Sequence, residues 1–399
     1  MANLKRVLIA GAGPVGMTAA LALSKAGIPV TVFERNGELA EDLRASTWHP
    51  ATMDMMSRLG LAEDIIRDGL IARTTQHRDR KTGAIAEFDM ELLRGETDHP
   101  YRVQYEQFKY TRLVHASLAA FPDCKVILGA KISGVAQTAD KASVTVEVGG
   151  VTESHEGDYL VGSDGAWSVV RQALGIDFEG LTYPERFYVA TTTFEFAEVL
   201  NHLCYVNYIA DIDEWCVLLR VRGTWRCLFP TRVDESDDEV MSDASTETRL
   251  QGVWKKPQAY ETIHRTLYKV HQRVAKSYRS GRVFLAGDAA HINNPLGGMG
   301  MNGGIHDGLN LCDKLIALHR GEADVSVLDR YERQRRPIAV EFINANTARN
   351  KKLMEERDPA ARKRQQDAIC AQAEDPVAAK AFLMKTSMIE SLRASELVK

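Results

Sequence analysis

Residues 4–35 read LKRVLIAGAGPVGMTAALALSKAGIPVTVFER, an order of residue types that spells strand, turn, helix, strand. Val7–Ala10 is a short, wholly apolar run, as expected of a parallel strand buried on both faces. From about Pro14 to Lys25 the chain is rich in Ala and Leu, and Gly27 stands where a helix C-terminus is expected. The β-branched and aromatic stretch PVTVFE forms a second strand. Between strand and helix lies G-x-G-x-x-G, formed by Gly11, Gly13 and Gly16 and enclosing Val15. Gly11 permits the tight turn, Gly13 lets backbone N–H groups approach a pyrophosphate, and Gly16 lets the helix pack close to the strand. The helix N-terminus then offers unpaired donors and partial positive charge to an anion. Glu34, 18 residues beyond Gly16, ends the second strand, where a carboxylate accepts hydrogen bonds from a ribose. The whole arrangement predicts a dinucleotide-binding βαβ unit.

A second match to the same pattern occurs in residues 281–304, GRVFLAGDAAHINNPLGGMGMNGG, at Gly298, Gly300 and Gly303. Its context differs. Gly298 lies twelve residues past the apolar strand Val283–Ala286 rather than at its end, and no acidic strand end comes after it. The chain continues instead as one long helix, expected from near Met301, with Leu309, Leu311, Leu315, Ile316 and Leu318 on its apolar face. Asp288 closes a buried strand, the end at which open α/β sheets bind ligands. Pro295 fixes a bend, and the glycines bring bare backbone against a flat ligand. A third segment, YLVGSDGAWSVVRQALGI at 159–176, is a strand, an Asp164-Gly165 turn and a helix carrying Arg171.

These three stretches, in this order, resemble the fingerprints of the FAD-dependent aromatic hydroxylases, the single-component flavoprotein monooxygenases similar to p-hydroxybenzoate hydroxylase. The resemblance covers roughly residues 1–350. It implies that Gly11, Gly13, Val15 and Gly16 hold the ADP part of FAD, with Glu34-Arg35 at the adenosine ribose. Asp164 is implied in FAD and NAD(P)H handling, and Asp288 at the ribityl chain. Pro295 and the loop Gly298, Gly300, Met301 and Asn302 are implied along the isoalloxazine ring. Arg44, in LRAST, and Gln107, in EQFKYTRLV, match further cofactor-contacting positions of the family. The implied reaction uses NADH or NADPH and O2 to hydroxylate an electron-rich aromatic or heteroaromatic ring through a flavin C4a-hydroperoxide. The same scaffold also serves quinone-pathway hydroxylases, reductases, halogenases and, without catalysis, inhibitor-type binding proteins that sequester small GTPases. The W-x-W-x-I-P signature of halogenases does not occur in the sequence.

From about 184 to 279 the chain changes to short β-rich runs with polar breaks, and RDRKTGAIAEFDM at 78–90 reads as a hairpin of the same unit. The fold expected is therefore α/β: a Rossmann-like FAD-binding domain with an inserted antiparallel-sheet substrate domain and C-terminal helices. The boundaries are 1–70, 98–183 and 280–350 for the first, 71–97 and 184–279 for the second, and 351–399 for the third. In WCVLLRVR, Trp215, Val217, Leu219 and Val221 should face a core. Arg220 and Arg222, on the other face, meet solvent or bind a substrate carboxylate. Tyr205 and Arg220 are the candidate pocket residues, Tyr205 as a hydrogen-bond partner for a phenol. No fixed general base stands out. DESDDE at 234–239 reads as a solvated acidic loop, Pro337 as a kink or a new helix start, and two Asp-Pro pairs as starts of terminal helices. The Met and Leu residues of those helices suit internal packing or a homodimer contact.

Composition narrows the remaining classes. A net charge of −4 asks for neither nucleic acid nor an anionic membrane. The six cysteines form no C-x-x-C, so no metal site or disulfide framework is expected. The absence of a long apolar run and of a signal peptide points to a reduced, cytoplasmic setting.

Overall fold

The computed structural model describes residues 3–41, 43 and 45–399, and of residues 342–344 and 346 the backbone alone. At its centre is a six-stranded sheet. Its strands run in the order Arg279–Ser280, Val283–Leu285, Tyr159–Gly162, Val7–Ala10, Val30–Glu34 and Cys124–Leu128. Val7 is in register with Tyr159 on one side and with Val30 on the other, both in parallel pairs. All four residues of Val7–Ala10 are buried, which explains the unbroken apolar run. The helix Pro14–Lys25 covers one face and packs against the long helix Met299–Arg320. That helix starts at Met299, two residues before the expected position, because Gly298 adopts a left-handed conformation (φ 68°) and ends the loop there.

The second large element is an eight-stranded sheet. The strands follow in the order His291–Ile292, Thr262–Ala275, Phe178–Thr192, Thr224–Pro230, Cys216–Val221, Val206–Ala210, Thr74–Asp79 and Gly83–Asp89. Neighbours are antiparallel except Val206–Ala210 with Thr74–Asp79, so the sheet is mixed rather than purely antiparallel. That parallel pair joins the 78–90 hairpin to strands far along the chain.

Both faces of this sheet are covered over most of their extent, so Arg220 is half-buried rather than open to solvent, whereas Arg222, just past the strand end, is exposed as expected. Cys216 and Leu218 pack with Tyr188, Trp225 and Phe229 beneath the helices Asp237–Met241 and Asp243–Val253. The opposite face presents Phe187, Val189, Tyr208 and Val217 to Leu296 of the glycine-rich loop and to Met354. The acidic stretch at 234–239 is likewise more than a loop. Ser236 and Glu239 form a reciprocal capping box that starts the first of the covering helices.

Beyond Pro337 the helix Asp329–Pro337 passes through a π-helical stretch, Ile338–Ile343, into Asn344–Glu355, a local distortion of the kind a proline imposes. Asp358 and Asp375 cap the helices Pro359–Glu374 and Pro376–Thr386 through their carboxylates, with proline in the first turn. Ile369, Phe382, Leu383 and Ile389 of the terminal helices pack on Ala86 and Phe88 of the hairpin. Among the described residues no helix is long and apolar enough to cross a membrane.

Candidate active site

The first glycine turn divides its labour unevenly. A Cβ on Gly16 would fall inside contact distance of the Gly11 carbonyl oxygen and 2.6 Å from Ser163 Oγ. Gly16 is thus fixed by the protein's own packing. A Cβ on Gly13 would meet nothing within 4 Å, so its bare backbone faces open space at the start of the helix Pro14–Lys25. That helix has no side-chain cap and no acidic residue in its first turn, leaving its N–H groups to an outside acceptor. Glu34 stands beside this opening, its Oε2 accepting from Ala12 N at 2.9 Å and its Oε1 from Asn36 N at 3.0 Å. Arg35 is exposed next to it.

The two glycine runs meet at Val15. Its side chain lies where a Cβ on Gly287 or on Gly304 would sit, at 2.8 and 2.7 Å, and the same Gly304 position is 2.9 Å from Gly287 Cα. Gly304 therefore serves close packing of the long helix on the strand end, a role that falls one residue past the second motif and that its pattern does not reveal. Asp288 follows Gly287 at the end of the buried strand and is exposed, while its neighbours Gly287 and Ala289 are buried.

A buried polar cluster holds this strand end. Asp307, fully buried on the long helix, accepts from Gly287 N at 3.2 Å, His291 Nε2 at 2.8 Å and Arg335 Nε at 2.7 Å. Burial pushes its carboxyl upward, but the charges and hydrogen bonds of His291 and Arg335 outweigh that and hold it below the usual carboxylate value. Motif reading does not single out this cluster. Its one signal in the sequence is the Asp307 in IHDGLNL, one period along an otherwise apolar helix face.

The remaining expected residues fall in three groups. Asp164 turns inward, accepting from Ser168 Oγ and from Val170 N at 3.1 Å, and burial raises its pKa. Arg171 ties that turn to the Gly-Asp loop by donating to Ala289 O at 2.9 Å, and it lies 3.8 Å over the Phe178 ring. Asn302, fully buried, donates to Thr47 O and Gly298 O and accepts from His49 N, clamping the helix start to the strand Thr47–Trp48. Pro295 O accepts from Gly298 N at 3.0 Å, closing the turn that leads into Gly300 and the half-buried Met301. Gln107 begins the helix Gln107–Leu118, its N–H donating to Ala45 O. Arg44 lies outside the described residues.

Tyr205 and Arg220 are not brought to this place. Arg220 pairs with Glu195 at 2.6 Å and lies over Trp225, on the sheet face turned away from Leu296. Tyr205 is exposed just before the strand Val206–Ala210. Sequence alternation counts a half-buried, ion-paired arginine as a surface one.

Facing the glycine loop instead are buried residues that the pattern does not mark. His49 Nε2 bonds Gly297 O at 2.9 Å, and His306 Nε2 bonds Thr52 Oγ1 at 2.9 Å. Burial pushes His49 well down and His306 to about 3, so both rings are neutral near pH 7. Arg226 reaches from the sheet to Ser46 Oγ and Leu43 O.

The donor set fits FAD: an open backbone cradle at Gly13, a carboxylate at the second strand end, a second carboxylate at Asp288, and an uncapped helix start at Gly298. A sequence profile described as "FAD binding domain" matches residues 5–346. Para-nitrophenol 4-monooxygenase of Pseudomonas sp. (strain WBC-3) is 32% identical, covering 99% of this chain and 98% of that protein. 6-hydroxy-3-succinoylpyridine 3-monooxygenase HspB of Pseudomonas putida (strain DSM 28022 / S16) is 32% identical, covering 88% and 89%. The crystal structure of p-nitrophenol 4-monooxygenase PnpA from Pseudomonas putida DLL-E4 superposes with a TM-score of 0.92 at 30% identity, over 98% of this chain and 99% of that one.

Proposed function

Because the chain belongs to the FAD-dependent aromatic monooxygenases, we propose that it hydroxylates a phenol or hydroxypyridine, with NADH or NADPH as reductant. The observation that supports this is the meeting of the two glycine runs at Val15, which brings the Gly13 turn and the Asp288 loop close together. FAD bound there supplies the chemistry, accepting hydride from the nicotinamide and activating O2 so that one oxygen atom goes to the ring and the other to water. The relatives named for nitrophenol and hydroxypyridine oxidation favour a compact, electron-rich ring over a fused polycycle.

The chain's own part is binding, orientation and dryness. The open backbone at Gly13 and the first helix end receive the pyrophosphate, with Gly11 and Gly16 shaping the turn, and Glu34 accepts from the adenosine ribose. Asp288 accepts from the ribityl chain. The start of the helix Met299–Arg320 sets partial positive charge against the ring, an effect of about 2 kcal/mol at most in a partly buried geometry. The division into a cofactor unit (1–70, 98–183, 280–350) and a substrate cover (71–97, 184–279) follows from the same reading. The apolar inner face of the eight-stranded sheet, Phe187, Val189 and Val217 among it, excludes water from the ring.

The purified protein should be yellow and should oxidise NADH or NADPH faster when 4-nitrophenol or a hydroxypyridine is added, with hydroxylated product formed. Colourless protein, or peroxide as the sole oxygen product with every ring tried, would overturn the proposal. Asp288→Ala should weaken FAD binding by about 1–3 kcal/mol, the loss of one charged acceptor. Fluorescence titration of apoprotein with FAD measures it, and an unchanged dissociation constant removes Asp288 from the site.

A further inference from the structure

Between the inner face of the eight-stranded sheet and the glycine-rich loop, the protein buries an arginine that no carboxylate answers. Arg102, in the strand Arg102–Gln104, is 3% exposed, and its Nε and Nη1 have no hydrogen-bond partner. Among the described residues it forms no ion pair. Its cross-strand neighbour is Ala72, which packs in one apolar cluster with Val189, Tyr208 and Leu296, so the register turns Arg102 toward that interior. The guanidinium charge bears on His49, bonded to the Gly297 carbonyl, and on His77, stacked on Tyr208 at 5.2 Å.

The free atoms around it are donors as well. Gln104, two residues along the same strand face and 1% exposed, uses Oε1 to accept from Thr47 Oγ1 and leaves Nε2 unpaired. Arg349, half-buried over the Phe382 ring, bears on the same His77 and leaves Nε and Nη2 unpaired. Burial keeps His49 and His77 neutral, His77 being pushed down to about 3, so neither neutralises nor adds to the charge. A buried guanidinium without an anion is costly, and a cluster whose unmet groups are mainly N–H donors is matched by oxygen acceptors.

We propose that Arg102, with Gln104 beside it, binds a negatively charged or strongly polarised oxygen of the aromatic substrate, a nitro, carboxylate or phenolate group, and so selects rings that carry such a group over rings that do not. This rests on the proposal that the substrate is a phenol or hydroxypyridine. It identifies the residue that reads the substrate's polar group, a task that neither Tyr205 nor Arg220 is placed to perform.

The test uses the flavin-loaded enzyme and three rings: 4-nitrophenol, 4-hydroxybenzoate and 4-methylphenol. Dissociation constants come from the change in flavin absorbance on titration, beside the FAD dissociation constant of each variant. Wild type should bind at least one of the two rings with a nitro or carboxylate group about tenfold or more tighter than 4-methylphenol. Arg102→Met should remove that preference through a loss of about ten- to a hundredfold for the favoured ring, with 4-methylphenol and FAD binding within about twofold of wild type. Arg102→Lys should recover part of the preference, and Arg102→Gln replaces the Met variant if that does not fold. Uniform weakening of all three rings, a loss of FAD affinity, or a preference that survives the substitution overturns the assignment. If no ring binds wild type while flavin is present, the phenol reading itself fails, and the role of Arg102 with it.

Discussion

Asp307→Ala should cost about 3–5 kcal/mol of folding stability, the range for stripping one partner from a buried ion pair. The carboxylate is completely buried, and Arg335 opposite it is 1% exposed. Removing it leaves the guanidinium charge without its partner and the Gly287 N–H without an acceptor. His291 Nε2 loses its acceptor too, and because a carboxylate only accepts, that nitrogen carries the proton in the native state. Asp307→Asn keeps the shape and one acceptor but not the charge, so it should recover only part of the loss. Urea unfolding at pH 7 measures both; a cost below about 1 kcal/mol for the alanine variant would mean that Arg335 finds another partner or water. The pH dependence has a definite sign. The folded pKa lies below the unfolded one, so the carboxylate's contribution is fully present above the ordinary value near 4 and fades as pH falls through the lower, folded value. The gap between wild type and Asp307→Ala should therefore narrow on acidification below about pH 4, not at neutral pH.

Asp307 also shows where reading the sequence stops. Local elements are written in local patterns: the run Val7–Ala10, the helix after Pro14 and the strand ending at Glu34 appear where residue type and spacing put them. The second glycine run is separable from the first because motif and context are both local, and strand, loop and helix succeed one another in the chain. Burial of polar residues is not local. Arg220 and Arg102 are the same residue type in similar β-rich surroundings, yet one is paired with Glu195 on the far face and the other stands unpaired toward the glycine loop. What separates them is that the sheet is covered on both faces, by helices from 237–253 on one and by the loop at 296 on the other. That is a property of tertiary packing, and period-two alternation carries no trace of it. The glycines show the same limit. Gly304 reads as one more residue of the long helix and is in fact the contact that lets that helix touch Gly287.

Gly13 and Gly16, three residues apart in one motif, should fail in different ways when given a side chain. At Gly16 the new Cβ meets a backbone carbonyl, which cannot swing aside as a flexible side chain could, as well as Ser163 Oγ. Gly16→Ala should therefore lose stability even without cofactor, by about 1–3 kcal/mol, the range for overpacking. At Gly13 the Cβ enters open space, and the backbone, at φ −72°, is one that alanine adopts without strain. Gly13→Ala should leave the apoprotein within about 0.5 kcal/mol of wild type, with the smaller entropy of its unfolded chain acting in its favour. Its cost should appear only when FAD is added. On the proposed placement of FAD the methyl group stands where the backbone has to approach the pyrophosphate, and a displacement worth about 1.4 kcal/mol is already tenfold in affinity. Gly13→Val should enlarge that loss. Urea unfolding of flavin-stripped protein and titration of the same samples with FAD separate the two effects. Equal apoprotein destabilisation by both alanine variants, or unaltered FAD affinity in Gly13→Val, would mean that the open side of the turn is not where the cofactor binds.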